Sequence, residues 1–140
     1  IVKKSSDFYG SQCIVVAVDV KKIGNNWMVH SHGGTKNTHI EALYWLKKVE
    51  SLGAGEILLT SMDKDGTKSG FDLEILSNAN RNLNIPIIAS GGVGSLKHFL
   101  EGATLGGADA LLAASVFHFN EISIMSVKNY LNDNNVEVRI

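Results

Sequence analysis

Residues 53 to 70, GAGEILLTSMDKDGTKSG, constrain the fold more than any other stretch, because they join a buried strand to a loop suited to an anion. Ile57, Leu58, Leu59 and Thr60 follow Glu56 as consecutive apolar or small positions, the pattern of a strand covered on both faces. The run then breaks into Asp63, Asp65, Gly66, Ser69 and Gly70. Two more units of this kind follow, IPIIASGGVGS from Ile85 to Ser95 and ADALLAASVFHF from Ala108 to Phe119. Small residues at the carboxyl end of a strand let backbone amides approach an anion, and a following helix adds the positive end of its dipole. Three such ends side by side make one site.

The flanking sequence repeats the plan. Cys13 to Val20 reads as a strand with Cys13 as core filler, and the first recognisable element is expected only near Ser11. Thr38 to Leu52 reads as a helix, apolar at Ile40, Leu43, Tyr44, Leu46 and Val49, opened by a Thr38–Glu41 capping box and ended by Gly53. Further helices are predicted at about Phe71 to Asn82, from Ser95 to about Leu105, and from Ile122 to Leu131. Pro86 to Ala89 and Ala110 to Ala114 supply the other strands, and Trp27 to His30 form a short hairpin arm within the loop from Lys21 to Asn37. Four βα units in one domain, residues 1–140, predict an α/β fold with a parallel sheet covered by helices. An eight-unit barrel takes ~250 residues, so this chain supplies half of one. An open doubly wound sheet fits the length equally well on pattern alone.

Charge and composition exclude several functions. A formal net charge of −1 gives no signal for nucleic acid or a membrane surface, and no apolar stretch is long enough to span a bilayer. With one cysteine there is no intrachain disulfide and no Cys-rich metal cluster, and a cytoplasmic location is expected. The sequence opens at Ile1 without methionine, so the chain is expected to be part of something longer. His30 and His32 alternate on one strand face near His39, yet no third ligand is set beside them, so neither a metal nor another cofactor is expected. His118 is expected to pack or cap, Asp63 to be a solvated loop charge, and Lys21 and Lys36 to be solvated or to meet a phosphate from the loop.

Five segments, FYGSQCIVVAVDVK, GGTKNT, GAGEILLTSMDKDGTKSGFD, PIIASGGVGS and ADALLAASVFHF, carry a more specific signal. In order and spacing they resemble the carboxyl-terminal half of the cyclase subunit of imidazole glycerol phosphate synthase, a (βα)8-barrel family of histidine biosynthesis, from about Phe8 onward. The resemblance implies a parallel (βα)4 half of a TIM barrel that lacks the amino-terminal half. It also implies a lyase-type cyclase, which uses ammonia from a partner glutaminase. The substrate is the phosphoribulosyl formimino aminoimidazole carboxamide ribonucleotide, and the products are imidazole glycerol phosphate and aminoimidazole carboxamide ribonucleotide.

Residue by residue, the resemblance makes Asp19 one carboxylate of the acid–base pair, its partner lying in the absent half. On pattern alone, Asp19 ends a strand and hydrogen-bonds a neighbouring loop. Asp65, Gly66, Gly91, Gly92, Ala114 and Ser115 match the family's phosphate cradle, although the glycines equally serve tight turns. Thr60 and Ser90 are implied to be substrate hydrogen-bond donors, and Glu56 part of a charged ring at the barrel bottom where ammonia enters.

Two other readings stand beside the cyclase half. One is the sister sugar isomerase of the same pathway, which DGTKSG and AASVFHF match less well; the other is a noncatalytic phosphate-binding half-barrel. Val16, Val18, Leu58, Ile88 and Leu112 are expected to face the barrel axis, each leaving ~1.5 to 3 kcal/mol of burial unrealised if uncovered. Self-association into a homo-oligomer of half-barrels is the expected remedy.

Overall fold

A computed structural model describes residues 1–139. Helix α1 (Val2–Tyr9) and a 3₁₀ turn (Ser11–Cys13) precede the first strand, β1 (Val15–Ile23). The structure therefore begins nine residues before the expected start, and Cys13 lies exposed in the turn rather than in the core. Helix α1 escaped the sequence reading because its few apolar residues, Val2, Phe8 and Tyr9, make no sustained periodic run in a short polar segment.

A two-residue turn at Gly24 and Asn25, with Gly24 at φ 61°, reverses the chain into β2 (Asn26–Ser31), which pairs antiparallel with β1. Strand β3 (Lys36–Glu41) extends this arm well beyond the expected Trp27 to His30. The predicted helix over Thr38 to Leu52 accordingly shortens to α2 (Ala42–Ser51). Thr38 does not cap it. Its Oγ1 donates to the Val29 carbonyl at 2.7 Å across the β2–β3 pair, while Glu41 caps α2 by accepting from the amides of Leu43 and Tyr44 at 3.0 and 2.7 Å. Cross-strand pairing with β2 outweighs the local helix-start signal.

The remaining strands are β4 (Glu56–Ser61), β5 (Ile87–Ser90) and β6 (Ala110–Leu111), and the sheet runs β3-β2-β1-β4-β5-β6. Strands β1, β4, β5 and β6 are mutually parallel, the sheet is open, and the result is half of a TIM barrel with an antiparallel arm. Strand β6 stops three residues short of the expected Ala114. Between and after these strands come α3 (Leu73–Asn82), α4 (Leu96–Thr104), α5 (Ser115–His118) and α6 (Ile124–Asp133).

Register decides which side chains these helices cover. Val16 and Val18 stand level with Ile57 and Leu59, and those with Ile87 and Ala89. This row faces the helices, where Leu46, Ile75, Phe99 and Val127 close the core. Val18 is 2% exposed, so the expectation that Val16 and Val18 face the barrel axis is corrected. A strand alternates with period two, so Asp19 on the open face requires Val15 and Ala17 beside it there. Leu58, Ile88 and Leu112 are on the open face as expected; Val15 is 50% and Leu112 41% exposed.

Asp72 holds the arm to the sheet. It caps α3 through the Ile75 amide at 3.4 Å and accepts from the Trp27 indole N–H at 3.0 Å and the Ser61 hydroxyl at 3.1 Å. One carboxylate thus ties β2, the end of β4 and the start of α3 together.

Candidate functional site

The carboxyl ends of the parallel strands carry two adjoining features. The first is a row across the open face: Asp19 on β1 is level with Thr60 on β4, and Thr60 with Ser90 on β5. Neighbouring strands lie 4.7–4.9 Å apart, so the row spans about 10 Å from Asp19 to Ser90. On its other side Asp19 is paired with His30 of β2, whose Nδ1 is 3.0 Å from the Met28 carbonyl. Asp19, Thr60 and Ser90 are all half-buried, which leaves the carboxylate and two hydroxyls reachable from the uncovered side.

The second feature is a cleft of ≈ 190 Å³ among the loops after β4, β5 and β6, lined by Asp65, Gly66, Lys68, Ser90, Gly91, Gly92, Val93, Leu112, Ala113, Ala114 and Ser115. All six residues of the expected cradle meet here. The backbone N–H groups of Gly66, Gly91, Gly92, Ala114 and Ser115 have no partner within the chain among the described residues. Unpaired amides in the lining of one concavity suit an anion, and the short α5 follows Ala114 as the short extra helix does in barrel phosphate sites. The Asp65 N–H, in contrast, is taken by the Ser61 carbonyl at 2.9 Å, so Asp65 brings its carboxylate and not its amide.

Two of the glycines have different reasons to be glycine. Gly92, at φ 101°, would drive a Cβ into the Gly70 carbonyl oxygen, and the Gly70 N–H donates to Gly92 O at 2.7 Å. The loops after β4 and β5 are thus pressed together. At Gly66, φ is 74° and a Cβ meets nothing within 4 Å, so only the backbone conformation and access to the cleft call for glycine.

Other sequence-singled residues lie elsewhere. Glu56 begins β4, four residues before Thr60 and hence about 13 Å towards the opposite end of the sheet. Asp63 is an exposed loop charge as expected, and its Oδ2 also accepts from the Lys22 amide at 2.7 Å, tying the loop to β1. Lys21 and Lys36 are exposed on the antiparallel arm and do not line the cleft. His30 is in β2, but His32 follows its end in a left-handed conformation at φ 56°, so the two do not share a strand face. His118 ends α5 exposed, edge-on to Phe119 with ring centroids 5.0 Å apart. Among the described residues no group of three or more His, Cys, Asp or Glu is placed to hold a metal ion. No helix among them is long and apolar enough to cross a membrane.

Lys68 is the cleft residue that sequence reasoning missed. It stands inside DGTKSG, but its ion pair with Glu121 joins positions 53 residues apart and leaves no local pattern.

A family model described as "Histidine biosynthesis protein" matches residues 1–123. The chain is 54% identical over 140 residues to imidazole glycerol phosphate synthase subunit HisF of Chlorobium phaeobacteroides, an alignment covering 100% of this chain and 56% of that protein. HisF of Saccharolobus solfataricus is also 54% identical, and HisF of Hydrogenobaculum sp. 55%, with the same coverage. The chain thus spans about half the length of the curated relatives it matches.

Proposed function

The chain belongs to the histidine biosynthesis protein family, and from that premise we propose that it is the carboxyl-terminal half of a cyclase acting on a phosphorylated ribonucleotide. The observation that carries this reading is the junction of a five-amide cleft with the Asp19–Thr60–Ser90 row at one end of the sheet. The cleft takes the phosphate nearest the ring-closing end of the substrate. Thr60 and Ser90 donate to the substrate from the strand ends. A carboxylate accepts hydrogen bonds and repels phosphate, so Asp65 suits a substrate hydroxyl beside the phosphate.

The reaction is the joining of ammonia to the phosphoribulosyl formimino aminoimidazole carboxamide ribonucleotide, giving imidazole glycerol phosphate and aminoimidazole carboxamide ribonucleotide. Both imine formation and ring closure move protons, so an acid and a base are required. Asp19 is one of the two, and the second carboxylate comes from the amino-terminal half. Glu56, at the far end of the same face, belongs to the entrance for ammonia delivered by a glutaminase subunit. The names of the relatives, all subunits of a synthase, favour the cyclase over the sister isomerase.

Ammonia-dependent turnover measured with this chain alone, then mixed with a separately produced amino-terminal half from a relative, tests the reading. Turnover in the mixture, lost with Asp19→Asn, is expected; none in an assembled mixture rejects it. A noncatalytic phosphate-binding self-assembly is the second reading, favoured by the exposed Val15 and Leu112 on the uncovered face.

A further inference from the structure

The cleft has two charged residues in its lining, Asp65 and Lys68. Five amides supply directed donors but little net charge, and a phosphate dianion beside the Asp65 carboxylate calls for a mobile cation. Lys68 sits at φ 55°, with its backbone pressed against Gly94, where a Cβ would lie 2.6 Å from the Lys68 carbonyl oxygen. The base of its side chain is therefore held in place, and the flexible four-carbon stem carries the ammonium beyond it. That ammonium lies 2.6 Å from each carboxylate oxygen of Glu121. Glu121 follows α5, and its N–H donates to the Val116 carbonyl at 2.9 Å, close in the chain to the free amides of Ala114 and Ser115. The pair joins the loop after β4, at the cleft lining, to the segment after α5. Both side chains are substantially exposed, at 46% and 40%, so the bridge is weak and exchangeable.

We propose that Lys68 is the counter-charge of the phosphate cleft and that Glu121 competes with phosphate for it, setting the affinity of the site. The inference rests on the reading of the cleft as a phosphate site. It assigns opposite effects to the two partners: removing Lys68 weakens binding, whereas neutralising Glu121 strengthens it. Glu121 acts through Lys68, so its effect vanishes when Lys68 is absent.

The test is titration of the chain with inorganic phosphate at low ionic strength, by calorimetry or phosphorus NMR, for the parent, K68M, E121Q and the double variant. Matched far-UV spectra and melting curves serve as the folding control. K68M is expected to weaken binding about 10-fold, the loss of one charge-assisted hydrogen bond. E121Q is expected to tighten it about 3-fold, the scale of an exposed ion pair, and the double variant to bind like K68M. Saturable binding by the parent with K68M unchanged overturns the competition and leaves the phosphate cleft standing. An equal gain from E121Q in both backgrounds also overturns it, because Glu121 then acts by its field alone. No binding by the parent overturns the cleft reading and the competition together.

Discussion

The two faces of the sheet differ although their residues alternate along the same strands. On the helix-covered face Val18, Ile57, Leu59, Ile87 and Ala89 are buried in one core with Leu46, Ile75 and Phe99. On the other face Val15, Ala17, Leu58, Ile88, Ala110 and Leu112 are comparably apolar, yet none of them is fully buried among the described residues. An apolar face left bare is a surface suited to a partner, and the reading proposed above fills it with a second half-barrel. The lesson is that Asp19, Thr60 and Ser90 sit on the face that contributes least to the chain's own stability. The core holds the strands, and the open face carries the residues of the proposed chemistry.

The neighbours Ile57 and Leu58 give the sharpest test of this contrast. Ile57→Ala is expected to cost about 2–5 kcal/mol by urea denaturation, the range for truncating a fully buried side chain. Measured below the concentration of self-association, where the open face is bare, Leu58→Ala is expected to cost below about 1 kcal/mol. Equal costs there would mean that another chain still covers the open face.

Asp72 supports the covered side from its edge. Asp72→Ala leaves the Trp27 indole N–H and the Ser61 hydroxyl without their acceptor and removes the α3 cap, an expected loss of about 1–3 kcal/mol. Denaturation followed by tryptophan fluorescence checks it, and Asp72→Asn, which keeps an acceptor oxygen, is expected to recover part of the loss.

Self-association probes the bare face directly. The parent chain, 15.1 kDa, is expected to give a light-scattering mass of at least two chains at micromolar concentration. Leu58→Asp, at the centre of the patch, is expected to weaken association by at least about tenfold, since it removes a buried Leu side chain and adds a charge. A parent mass of one chain would show that the face stays bare at that concentration.

The smallest effect on stability is expected at the centre of the proposed chemistry. Asp19→Asn should change unfolding free energy by no more than about 0.5 kcal/mol, as it breaks no contact of the core. In the mixed-halves assay it should lower turnover about 10²–10⁴-fold, the range for a positioned acid or base. A variant that is destabilised by several kcal/mol would make Asp19 a structural residue instead.

Much of this organisation was legible in the sequence, and particular residues show where legibility stops. The apolar run from Ile57 to Thr60 and the glycines at 91 and 92 announce a strand and a tight loop through preferences that act within a few residues. Val16 and Val18 read equally well on either face, because a continuous apolar strand has no alternation to reveal its phase. Thr38 and Glu41 match a capping box, but β2 claims Thr38 for a strand. Cys13, apolar in character and next to a strand, lies exposed in the turn before it.

By itself the sequence determined the four βα units, the positions of their glycine-rich ends and most of the residues gathered around the cleft, Lys68 excepted. These depend on local chain stiffness, turn chemistry and hydrophobic spacing. Only the tertiary structure decided the phase of β1, the antiparallel arm, the Asp72 junction and the Lys68–Glu121 bridge. Each is a contact between segments distant in the chain, and its free energy comes from strand register and packing that no local window contains.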